Sequence, residues 1–67
     1  MAVFRFHLIG APPVELEVAA RDISDLSAMM ACHRFVEGRL TEAESDGVLA
    51  GVLLATSRIQ CVVESGG

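Results

Sequence analysis

The sequence predicts an α+β domain: a β-hairpin, one helix, then two or three further antiparallel strands (ββαβββ), with the helix packed on one face of the sheet. Three observations predict it. Residues 2–9 and 14–20 alternate apolar and polar around a Gly-Pro-Pro turn; apolar residues from Ile23 recur at helical spacing; and residues 48–55 and 58–64 return to strand-like composition.

In the first segment Phe4, Phe6 and Leu8 fall on one side and Arg5 and His7 on the other, the period of two expected of a half-buried strand. Gly10-Ala11-Pro12-Pro13 stops it, because prolines donate nothing to a ladder and glycine accepts the φ values of a tight reversal. Val14, Leu16 and Val18 then alternate with Glu15 and Glu17, which makes the two segments an antiparallel hairpin. Asp22 or Ser24 can cap a helix beginning near Ile23, and Asp25 adds favourable charge to its first turn. Ile23, Leu26 and Met30 form its apolar stripe, so at least residues 23–33 are expected to be helical. Two continuations fit residues 34–38. In the preferred one the helix runs through Phe35 and Val36 to a stop at Gly38; in the other it ends near His33 and a strand starts at Arg34.

Residues 39–42 are short and extended in character, and Asp46-Gly47 signals a hairpin turn. Val48 to Ala55 is expected to be a buried strand on its valines, its length and Gly51, and Thr56-Ser57 to bend the chain. Ile59, Cys61 and Val63 then alternate with Arg58, Gln60 and Glu64, giving a last half-exposed strand whose apolar side faces the core.

No repeat, linker or low-complexity tract divides the chain, so residues 1–67 are expected to form one domain. A chain of this length buries only roughly 60% of the surface its unfolded form exposes, and small scaffolds compensate with disulfides, a metal or self-association. Two cysteines do not make a disulfide framework, whereas 52% of residues are hydrophobic. Self-association is the expected route, through the sheet face opposite the helix or through a strand edge.

Nine acidic residues against five basic ones leave a net charge of −4, and all the bases are arginines: Arg5, Arg21, Arg34, Arg39 and Arg58. They are spread singly, so no basic run tracks a phosphate backbone, and Phe4, Phe6 and Phe35 are the only aromatic residues; nucleic-acid binding is disfavoured. No apolar stretch approaches the roughly 20 residues of a membrane-spanning helix. The alternating, charged N-terminal segment does not read as a signal peptide, which implies a cytoplasmic location with reduced thiols.

Candidate chemistry is thin. Cys32 and Cys61 lie on segments that read as core-facing, and Cys32 and His33, adjacent on a helix, do not face each other as a nucleophile and its base must. His7, Cys32, His33 and Cys61 are the right types for zinc but lack the close spacings of a structural site, so neither metal nor cofactor is expected. Glu15 and Glu17 share one side of a strand, which a solvated face explains more simply than an acid–base pair. Arginines anchor interfaces through bidentate pairing with carboxylates. Arg39 and Arg58, expected on strands opposite the core and near Glu42 and Glu64, are the interface candidates. The composite expectation is a non-enzymatic protein-interaction or scaffold module whose partner is itself, as a homodimer or larger assembly, or another protein.

A hairpin, a helix, a late strand and a terminal Gly66-Gly67 together resemble the β-grasp sulfur carriers and ubiquitin-like modifiers. The resemblance covers the overall pattern and the last two residues, without an acidic Asp-Gly-Asp turn leading into the final strand. It implies an alternative role in which the terminal glycine carboxylate is adenylated, then converted to a thiocarboxylate or conjugated to an amine.

Overall fold

The computed structural model describes residues 2–41 and 50–65. The elements run β1 (Ala2–Leu8), β2 (Val14–Val18), α1 (Ile23–Cys32), β3 (Phe35–Leu40), β4 (Gly51–Ala55), a 3-10 turn (Thr56–Arg58) and β5 (Ile59–Glu64). The strands form one antiparallel sheet in the order β4-β3-β2-β1-β5. This is the α+β arrangement that the sequence predicts, and α1 contacts β3 and β5.

The hairpin forms in the register that keeps like faces together: Phe4 opposes Leu16 and Phe6 opposes Val14 on the core side, while Arg5 opposes Glu15 on the other. Gly10, with φ of 77°, takes the left-handed conformation in the turn between them, where a side chain is disfavoured. Asp22 caps the helix by accepting from the Asp25 N–H at 2.8 Å, and the Asp25 carboxylate in turn accepts from the Arg21 N–H at 3.0 Å. Two helix-start groups are thereby satisfied reciprocally.

The preferred longer helix does not form. Cys32 is the last helical residue, His33 is extended with φ −129° and ψ 147°, and residues 35–40 are β3. A distant segment supplies the reason. The Thr56 N–H donates to the Arg34 carbonyl at 2.8 Å, and the Thr56 hydroxyl lies 3.0 Å from the Arg34 carbonyl and 3.3 Å from that of His33. Carbonyls that a longer helix would have left at its end are used by the β4–β5 connection instead.

Gly38, expected to stop that helix, is a buried strand residue where β3 approaches β2 closely. A Cβ there would lie 3.0 Å from the Glu17 carbonyl oxygen, 3.0 Å from Leu16 Cβ and 3.1 Å from Val18 Cγ2. The Asp46-Gly47 turn and residues 48 and 49 of the expected strand lie outside the described residues, and β4 proper begins at Gly51.

β4 and β5 stand at opposite ends of the strand order, yet only Thr56–Arg58 separates them. Four lateral strand spacings amount to about 19 Å in a flat sheet. Four residue steps reach at most about 14 Å. The sheet therefore curls, and one continuous run of chain pairs first with β3 and then with β1. The curl wraps a core of Phe4, Phe6, Leu16, Val18, Ala20, Leu26 and Val36, against which Val52, Leu54, Ile59 and Val62 also pack. The Phe4 and Phe6 rings meet edge to face at 6.4 Å. Leu26 is the one helix residue in the fully buried set.

Candidate functional site

The side chains that alternate away from the core make the outer face of the sheet, and the strand registers order them into rows. One row runs Gly51, Arg39, Glu17, Val3 from β4 to β1. The next places Glu15, Arg5 and Val63 side by side, and beyond it His7 opposes Cys61. Arg5 and Glu15 are paired at 3.1 Å, with both side chains substantially exposed, and the Ser65 hydroxyl lies 3.5 Å from the same carboxylate oxygen. Glu15 and Glu17 do share a face, and each faces an arginine on a neighbouring strand. The arrangement balances charge across strands in the ordinary way of a solvated sheet.

Of the two arginines predicted to form an interface, Arg39 stands exposed on the outer face of β3. Arg58 is not on a strand. It ends the 3-10 turn, and its carbonyl accepts from the Ile9 N–H at 2.8 Å. Glu64, its suggested neighbour, lies at the opposite end of β5, and Glu42 lies outside the described residues, as do Gly66 and Gly67. Arg58 and Glu64 are thus held apart by the length of β5, and the expected neighbour Glu42 lies outside the described residues.

Both cysteines are exposed, contrary to the core-facing reading. For Cys32 the cause is helical phase: it stands two residues, about 200° around α1, from Met30, which packs against the core. For Cys61 it is a β-bulge: Leu8 pairs with Ile59 and His7 with Cys61, so β5 spends two residue steps, across Gln60, where β1 spends one. Ile59 and Val62 consequently both face the core, and Cys61 and Val63 turn outward. Among the described residues, no three His, Cys, Asp or Glu side chains gather as metal ligands. None of the helices described is long and apolar enough to cross a membrane.

Two apolar features were not singled out by sequence reasoning. The outer face carries Leu53 at 64% exposure and Phe35 at 55%, diagonal neighbours on β4 and β3. The helical reading of residues 34–38 concealed Phe35, and the expectation of a buried strand concealed Leu53: β4 is instead an edge strand, and none of its residues from Gly51 to Ala55 is fully buried. Between α1 and β5 lies an open groove of about 250 Å³, lined by Ile23, Leu26, Ser27, Met30 and Val62. Comparison with family models, curated proteins and solved structures returns no match.

Proposed function

We propose that the chain is a small, non-enzymatic, cytoplasmic protein-interaction or scaffold module that acts as a homo-oligomer. The observation that carries this reading is the exposure of Phe35 and Leu53, diagonal neighbours on the outer sheet face, beside the charged residues Glu37 and Arg39. Large apolar side chains grouped on a sheet surface and rimmed by charge favour a protein partner. The fully buried core is small enough that association adds appreciably to stability. The balanced charges of the outer face, in which Glu15 and Glu17 stand opposite arginines, support recognition rather than acid–base chemistry.

The test is the intact mass of untagged protein under native conditions, followed by denaturation of the same sample. A defined oligomer with an unmodified tail supports the proposal. A monomer bearing a C-terminal adenylate or thiocarboxylate overturns it in favour of a sulfur-carrier role for Gly66 and Gly67.

A further inference from the structure

The sheet has two edges, and they differ in how they are defended. β5 carries Gln60 and Glu64 and is bent by its bulge, features that discourage strand addition. β4, Gly-Val-Leu-Leu-Ala, has neither a charge nor a proline nor a bulge. Its hydrogen-bonding phase is set at both ends: the Leu40 N–H donates to the Ala50 carbonyl at 2.9 Å, and the Thr56 N–H to that of Arg34 at 2.8 Å. In an antiparallel ladder such pairs alternate, so Val52 and Leu54 point their amides at β3. The N–H and C=O groups of Gly51, Leu53 and Ala55 therefore point away from the sheet.

We infer that β4 is the surface through which two copies of this chain associate, adding β4 of one to β4 of the other about a two-fold axis at Leu53. This deepens the homo-oligomer reading and rests on it. The spacing of these outward-pointing groups, which no described residue pairs, carries the inference. Antiparallel pairing centred on Leu53 sets Leu53 against Leu53 and Gly51 against Ala55 of the second copy. Every pair then falls on outward-pointing amides, about six hydrogen bonds in all.

The side chains on the outer face agree with that register. Each row through the junction would read Phe35, Ala55, then Gly51 and Arg39 of the second copy, a large and a long side chain separated by two small ones. Space above Gly51 is open: a Cβ built there has nothing within 4 Å. With only Ala55 and Gly51 meeting there, no bulky side chains collide across the junction. The central Leu53 pair loses the water that now covers it. A second copy is favoured over an unrelated strand because one two-fold operation satisfies the backbone, the apolar pair and the two mixed rows together.

Sedimentation equilibrium over about 1 µM to 1 mM covers the range expected of so small an interface. It is run on the full chain and on Leu53→Lys and Leu53→Pro, with far-UV circular dichroism to verify folding. Lysine places like charges opposite each other at the axis; proline removes an N–H that none of the described residues accepts. The expected result is a wild-type dimer whose dissociation constant rises at least about tenfold in Leu53→Lys. Slowed amide exchange at Gly51, Leu53 and Ala55 at high wild-type concentration gives the same answer without a variant. An oligomer unaffected by either substitution, with those three amides still exchanging freely, overturns the β4 interface while leaving self-association standing. A wild-type chain monomeric throughout overturns both.

Discussion

Replacing Gly38 with alanine tests the least locally encoded feature of the fold, the placement of residues 35–40 in a strand against β2. The added Cβ would stand 3.0–3.1 Å from the Glu17 carbonyl oxygen, Leu16 Cβ and Val18 Cγ2. Two of those three atoms are backbone or Cβ and cannot swing aside, so β3 has to shift relative to β2. Forcing a methyl into a packed site of this kind costs about 1–3 kcal/mol. Against it stands about 0.4–1 kcal/mol gained because alanine has fewer unfolded conformations than glycine. The net expectation is a loss of about 0–2.6 kcal/mol, centred at ~1.3 kcal/mol, which at the centre is a fall in Tm of about 5–10 °C for a domain of this size.

Urea denaturation should be followed by far-UV circular dichroism, since the chain has no Trp or Tyr to report by fluorescence. Protein concentration is held equal between variants, because self-association would make stability depend on it. Gly51→Ala, compared at concentrations where the chain is monomeric, is the control: its Cβ meets nothing within 4 Å of the single chain, so it should be neutral or slightly stabilising. Were residues 34–38 helical with Gly38 in the helix, alanine would instead stabilise by up to about 1 kcal/mol. A Gly38→Ala protein more stable than wild type would refute the close β2–β3 approach.

Two further outcomes follow from the same packing. Leu26→Ala removes the helix's one fully buried side chain and should cost about 2–5 kcal/mol, leaving a domain this small largely unfolded by circular dichroism; Met30→Ala, at a half-buried position, should cost less, and the reverse ranking would mean that α1 seats on the sheet by a different face. Both thiols should react with an aromatic disulfide reagent in native buffer as readily as in denaturant, because Cys32 and Cys61 are exposed; protection of Cys61 until unfolding would show that the bulge in β5 is absent.

Wherever neighbours in sequence are also neighbours in space, local chemistry was enough to determine the structure. The hairpin, its faces and its turn at Gly10 follow from strict alternation on both sides of a proline-bearing reversal. The start of α1 follows from Asp22 and Asp25, whose carboxylates satisfy amides within four residues. The placement of Arg39 opposite the core was also legible, given only that its segment is extended.

What the tertiary structure alone decided depends on partners far along the chain. Phe35, Val36 and Gly38 suit a helix end or a strand equally well, and the choice rests with Thr56, more than twenty residues away, and with the room that Val18 and Leu16 leave for a glycine. Cys61 was placed on the wrong face because a bulge changes the phase of a strand by one residue, and its position is set by pairing with β1 rather than by anything in β5 itself. Exposure of Phe35 and Leu53 follows from the first of these events: once residues 35–40 pair with both β2 and β4, alternation turns that phenylalanine and that leucine outward, where no residue of their own neighbourhood could have announced them.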